Sequence, residues 1–209
     1  LKEKGYTESD MLAANVIAQS QRGGIYDRFR KRVMFPIINI RGNIVAFSGR
    51  AMPGDDKQGG KYVNTADTPV YKKSENLFGI NFAKNVCSER VILVEGNMDV
   101  ISLHQAGFEN TVAPLGTAFT TEQANLLSRY TKEIVLMLDA DAAGQKAVRR
   151  ASELLENTGL SVRVVVVPDG KDPDEYIKKN GKERFAALLE GAVSDMEYKL
   201  LTAAKDINL

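Results

Sequence analysis

The sequence predicts an α+β first half, an α/β second half with a buried parallel sheet, and the start of a helical tail. Three observations carry that reading. Between residues 33 and 50, two apolar runs flank the short turn Arg41-Gly42-Asn43, the texture of a β-hairpin. After residue 90, four unbroken apolar runs alternate with helix-period stretches. Strands buried on both faces read this way, and helices must then cover both sides of their sheet. The end of the chain carries only helical pattern. The expected parts are residues 1–89, 90–175 and 176–209.

Taken in order, TESDMLAANVIAQS (7–20) reads as a helix. Thr7 with Asp10 makes a capping-box-like start, and Met11, Leu12, Val16 and Ile17 fall near one face. VMFPIINI and IVAFSGR form the hairpin, with Pro36 suited to an edge strand or a bulge. PGDDKQGG (53–60) is rich in turn formers and is expected to be a mobile loop. KYVN and LFGINFAK follow as a short strand and a short helix. From residue 90 the pattern is βαβαβαβ: VILVEG, MDVISLHQA, TVAPLG, TTEQANLLSRY, EIVLML, AAGQKAVRRASELLENTG and SVRVVVVP. Thr120 followed by Gln123 caps the second of these helices. DEYIKKN and KERFAALLEGAVSDMEYKLLTAA close the chain as helices. There is no internal repeat and no low-complexity tract.

Composition narrows the function. With 28 Lys+Arg against 27 Asp+Glu, the net charge is +1, which excludes a nucleic-acid binder working by bulk basic charge. At 44% hydrophobic residues, 209 residues can bury a core of one large or two small domains. One cysteine, Cys87, allows no internal disulfide. With one histidine, His104, it allows no ordinary structural zinc site. Any metal must therefore be held by oxygen. Cys87 is expected to pack as a small hydrophobe and His104 to lie away from any chemistry. The longest apolar run, around VRVVVV, is far short of the roughly 18 residues of a membrane span. No signal segment opens the chain, so no membrane role and a cytoplasmic location are expected. The charged start without an initiator Met suggests a piece of a longer protein.

The acids gather where an open α/β sheet binds its ligands, beyond the carboxyl ends of the strands. Glu95 follows the first apolar run, with Asp99 one turn into the next helix. Asp139 and Asp141 follow the third run. Asp169, Asp172 and Asp174 follow the fourth. Carboxylates drawn together raise one another's pKa unless a cation neutralises them. A hard, oxygen-loving cation, Mg²⁺ or Mn²⁺, suits such a rim, and so does phosphoryl or nucleotidyl transfer. The bland alternative is helix capping, which Asp-Ala-Asp before AAGQKAV and Asp-Pro-Asp before EYI would both serve well. Receiver domains and haloacid-dehalogenase-like phosphatases place their acids after other strands.

A Glu after the first strand with Asp-x-Asp after the third resembles the Toprim fold of primases, topoisomerases and some nucleases. The likeness extends further. RFRKRVMFPI, Gly49-Arg50, KYVNTADTPVYKKSENLFG, VEGNMDV, LGTAFT, DADAAG and DGKDPDEYI resemble, in order and spacing, the catalytic core of bacterial DnaG-type primases. Two positions depart from that pattern: Asn97 stands where the family usually has Tyr, and Ala140 where it most often has Gly or Ser.

The resemblance implies an enzyme that makes short RNA primers on single-stranded DNA from nucleoside triphosphates. It implies Glu95, Asp139 and Asp141 as catalytic residues. Glu95, Asp99, Asp139, Asp141, Asp172 and Asp174 would be the metal-holding set, with Asp169 peripheral. Arg30, Arg32, Arg50, Lys61, Tyr62, Asn64 and Lys73 would contact nucleotide or template. Implied partners are the template, triphosphates, the nascent primer and, in a full-length protein, the replicative helicase and single-strand-binding protein. The chain alone is expected to make little primer while keeping metal and nucleotide binding. A Toprim nuclease or topoisomerase subunit, or a nucleotide-binding module, would share the acids; the first half distinguishes them. The charge divides accordingly. Residues 1–89 hold 14 Lys+Arg against 9 Asp+Glu, net +5, and residues 90–209 hold 14 against 18, net −4.

Overall fold

The computed structural model describes residues 1–54, 60–139, 142–168 and 172–206. The loop expected to be mobile, together with Ala140, Asp141 and Asp169, lies wholly or partly outside these. The chain forms two compact units, Leu1–Lys73 and Ser74–Leu209.

In the first unit, α1 (Glu8–Ala13) begins as its sequence dictates. Thr7 Oγ1 accepts from the Asp10 amide at 3.1 Å, and the Asp10 carboxylate accepts from the Thr7 amide at 2.9 Å. The helix is shorter than the 7–20 expected. Asn15 turns left-handed at φ 56°, a conformation that Asn tolerates better than most residues, and its Oδ1 accepts from the Ala66 amide at 2.8 Å. The β-branched pair Val16-Ile17 then leads into β1 (Ile17–Gln19), antiparallel to β2 (Ile25–Asp27).

The hairpin forms as β3 (Arg32–Ile38) against β4 (Ile44–Ala51), with β5 (Tyr62–Asn64) on the far side of β4. Pro36 sits on the edge strand β3, where its missing N–H is harmless, just before a register shift at Ile37/Ile38. Met11, Ile17, Ile37, Ala46 and Tyr71 are buried here.

Tyr71 is 2% exposed, and its hydroxyl has no hydrogen-bond partner among the described residues. Burial, and then the charge of Asp67, push its pKa up. Removing a buried hydroxyl that makes no hydrogen bond removes an uncompensated desolvation cost. Tyr71→Phe is therefore expected to stabilise the chain by about 1 kcal/mol. A lower denaturation midpoint for the variant would contradict this.

The second unit is built on β6 (Arg90–Leu93), β7 (Thr111–Val112), β8 (Glu133–Leu136), β9 (Ser161–Val164) and β10 (Val193–Ser194), in the order β10-β9-β8-β6-β7. The four apolar runs supply the parallel strands. Between them lie α3 (Asn97–Gln105), α4 (Thr121–Leu127) and α5 (Ala142–Leu155). Alternate strand residues face opposite sides. Ile92, Val94, Val135, Met137, Val165 and Val167 share a core with Val100 and Leu103 of α3 and with Ile177, Phe185 and Leu189 of α6 (Pro173–Glu190). Leu93 and Leu138 line a cavity of about 260 Å³ with Ala143, Ala147 and Ala151 of α5.

This unit begins before the first apolar run because residues 74–89, which include α2 (Ile80–Ala83), pack on it. Phe78 bridges Ala113, and Asn76 O accepts from Gln123 Nε2 at 2.7 Å. Cys87 is buried. His104 is half-buried, its Nε2 at 2.9 Å from Thr111 O and its ring edge-on to Phe82.

The helical end differs from expectation. α6 is broken at Gly181 (φ 80°), between the two stretches read as helices. The second stretch does not run on to residue 204. The chain leaves the helix at Gly191, and Val193–Ser194 pair antiparallel with β9 as β10. Arg163 holds the carbonyl of Ala192 there. Ser194 Oγ accepts from the Glu197 amide at 3.2 Å, starting α7 (Asp195–Asp206). Among the described residues, no helix is long and apolar enough to cross a membrane.

Candidate active site

In the strand order β9-β8-β6-β7, the connection leaving β6 runs to β7 on one side and the connection leaving β8 runs to β9 on the other, in opposite directions. The crevice beyond the carboxyl ends of β6 and β8 is the topological switch point, where such sheets bind ligands. Glu95 and Asp139 stand on its two lips. Glu95 is exposed, and its Oε1 accepts from the Asp139 amide at 2.9 Å, tying the lips together.

Asp99 lies deeper, 7% exposed in the first turn of α3. Its carboxylate accepts from the Gly96 amide at 3.1 Å and the Asp174 amide at 3.3 Å. Burial, then the charge of Asp172, raise its pKa to about 7; the two amide bonds oppose this and Asp139 adds to it. These couplings bring Asp99, Asp139 and Asp172 into one electrostatic neighbourhood.

Asp99 binds a proton more tightly folded than unfolded, where its ordinary value is 3.8. Without metal, the stability linked to Asp99 is complete below pH 4 and is lost as pH rises through about 7. The full loss amounts to roughly 2–4 kcal/mol. Melting temperatures in EDTA are expected to fall between about pH 4 and 7 and to level off above that. Asp99→Asn should flatten that slope, and an unchanged slope would contradict the assignment.

Asp172 caps α6, accepting from the Glu175 amide at 2.7 Å. The capping reading therefore holds at this residue, alongside its charge coupling to Asp99. Asp174 receives Ser102 Oγ and, at 2.7 Å, the Lys178 ammonium. Asp141 lies outside the described residues. Among those described, no three His, Cys, Asp or Glu side chains form a ready metal cluster. The described acids nevertheless offer only oxygen donors, and the deepest, Asp99, has its pKa raised by burial and then by the charges of Asp172 and Asp139, neighbours that a hard dication would suit.

Of the basic residues read from sequence, Arg50 and Tyr62 are cross-strand partners on β4 and β5, with the guanidinium 5.8 Å from the ring centroid. Arg30 lies 5.0 Å from the ring centroid of Tyr26. Arg32 is turned inward, donating to the carbonyls of Gly49, Gly60 and Lys61 at 3.0–3.3 Å. Asn64 O accepts from Arg28 at 3.4 Å. Lys61 is exposed. The Lys73 amide donates to Asp67 at 3.0 Å.

Comparison with known proteins now bears on both units. The family model "DNA primase catalytic core, N-terminal domain" matches residues 1–84, and "Toprim-like" matches 92–177. The RNA polymerase domain of Mycobacterium tuberculosis primase DnaG superposes with a TM-score of 0.87 at 33% identity, covering 97% of this chain and 68% of that one. The chain belongs to the bacterial DnaG-type primase family.

A DNA primase of Clostridium acetobutylicum is 47% identical over 210 residues, covering all of this chain and 35% of that protein. A DnaG primase catalytic domain bound to single-stranded DNA superposes with a TM-score of 0.83 at 36% identity, covering 93% of this chain and 62% of that one. The chain spans about a third of the length of the curated primases it matches. Membership of the primase family implies divalent-metal use in general terms.

Three residues beside these acids are not signalled as site residues by the sequence. Ser102 and Lys178 contact Asp174, and only the Asp174–Lys178 spacing of four on a helix signalled either. Gly144, within DADAAG, is pressed against Asp139: an added Cβ would stand 1.9 Å from the Asp139 carbonyl oxygen.

Proposed function

We propose that this chain is the catalytic core of a DNA primase, joining nucleoside triphosphates into short RNA on a single-stranded DNA template. The observation that carries the reading is the rim itself, Glu95 tied to the backbone of Asp139 with Asp99 and Asp172 in charge contact, on a chain whose residues 1–84 and 92–177 match the primase-core N-terminal and Toprim-like models.

Glu95, Asp139, Asp141 and Asp172 would hold Mg²⁺, or Mn²⁺ in its place, with Asp99 beneath them and Asp174 beside. When bound, the cation would neutralise triphosphate charge and acidify the attacking 3′-hydroxyl. Glu95 spends one carboxylate oxygen on the Asp139 amide, leaving the other for metal or for the hydroxyl proton. Asp99, whose pKa burial and then the charge of Asp172 raise to about 7, would ionise more fully as positive charge arrives.

Arg30, Arg50, Lys61, Tyr62 and Lys73 would meet phosphates and template. Contacts of that kind weaken with salt and read little sequence. Arg32 and Asn64 would act more indirectly, by holding the strands that carry the others. Helicase and single-strand-binding protein would be partners of a full-length protein, and the reading carries a cytoplasmic location.

The test is incubation with labelled nucleoside triphosphates, Mg²⁺ and single-stranded DNA. A low yield of short, template-dependent labelled RNA is expected, lost in EDTA. Template cleavage without incorporation of label would overturn the reading in favour of a Toprim nuclease.

A further inference from the structure

We propose that Lys178 is an internal counter-ion for Asp174, displaced when a divalent cation binds the rim, and that Ser102 is the positioning residue that keeps Asp174 aimed once Lys178 leaves. This rests on the reading of the rim as a metal site. It concerns a contact that the reading itself does not require.

The Asp174 carboxylate, 18% exposed, is held from two sides. Ser102, buried on α3, donates its hydroxyl. Lys178, one turn on along α6, brings its ammonium to 2.7 Å. The backbone amide of Asp174 meanwhile binds Asp99, so the residue joins the deepest acid of the rim to both helices.

The two side-chain holds differ in strength. The lysine side chain is 61% exposed, and such surface pairs on a helix are weak, because a long flexible chain is ordered for a charge that water screens. A buried hydroxyl on a charged acceptor is the firmer hold. A dication at the rim out-competes a monocation for the same carboxylate and repels its ammonium. Lys178 therefore swings into solvent while Ser102 keeps the carboxylate in place. In the bare protein the lysine relieves part of the repulsion among the acids.

The experiment is Mn²⁺ binding to the whole chain, followed by the paramagnetic signal of free Mn²⁺. Lys178→Gln is expected to tighten binding about three- to tenfold, since the competing charge is gone. Lys179→Gln removes the same charge one residue further along the same exposed stretch, and should change binding less than about twofold. Lys178→Arg should behave like the parent. Ser102→Ala should weaken binding, and Asp174→Asn should weaken it and abolish the gain from Lys178→Gln.

Equal effects of the two Lys→Gln changes, or a gain that survives in the Asp174→Asn background, would overturn the proposal. If the parent binds Mn²⁺ and Asp174→Asn binds it as tightly, the Lys178 role falls while the metal rim stands. If the parent binds no Mn²⁺, both fall together.

Discussion

Gly144→Ala is expected to lower metal affinity and nucleotide incorporation by about 10²-fold while leaving the chain folded. The methyl would meet the Asp139 carbonyl oxygen at 1.9 Å, its carbon at 2.7 Å and its nitrogen at 3.0 Å. All three are backbone atoms, so no side chain can rotate out of the way. Either the first turn of α5 or the Asp139 lip must move by more than an ångström. On the proposed reading of Asp139 as a metal-holding residue, such a displacement suffices for a loss of that size.

The damage should be local, because the cores on both faces of the sheet are carried by other residues. Gly191→Ala is the control, since its methyl would find ordinary contacts at 3.5 and 3.6 Å. Circular dichroism should match the parent for both variants. Mn²⁺ affinity of Gly144→Ala within twofold of the parent would show that the close approach has no bearing on the site.

Asp139→Asn should cost more, on the order of 10²–10³ in the rate of primer synthesis. The substitution is nearly isosteric and leaves the backbone amide that binds Glu95, so the lips stay tied. What disappears is a charge. Two readouts should then move in opposite directions. On the proposed reading, incorporation falls because the rim would hold a cation poorly. The metal-free protein melts higher near pH 8, because Asp139 is one of the charges that raise Asp99. An Asn variant that synthesises primer at the parental rate would remove Asp139 from the chemistry. One that loses activity but melts lower would point to a structural role instead.

The sheet was legible in the sequence because both faces of it are buried. Runs such as Val91–Val94 and Glu133–Leu138 admit few other readings, and each delivers its acid at the carboxyl end whatever the details of packing. Capping chemistry was equally local: Thr7 with Asp10 and Thr120 with Gln123 act within four residues. Elements whose fate depends on distant partners were not legible. Val16-Ile17 continues a helical period, but Asn15 turns the chain toward the Ala66 amide and Ile17 becomes strand. Val193-Ser194 lies within a helical pattern, yet the open edge of β9 takes it as a tenth strand.

The site divides in the same way. The sequence alone placed Glu95, Asp139 and Asp172 beyond strand ends and left only oxygen ligands for any metal, since strand ends and residue types are local facts. Only the tertiary structure decided the order among them. Asp99 is the buried member, with its pKa raised by that burial, because α3 and the start of α6 close over it. Arg32 serves carbonyls because Gly49, Gly60 and Lys61 surround its guanidinium. Asp174 is held between Ser102 and Lys178 because two helices distant in sequence meet there. Desolvation and charge coupling depend on what lies within a few ångströms in space, and that information no stretch of sequence carries by itself.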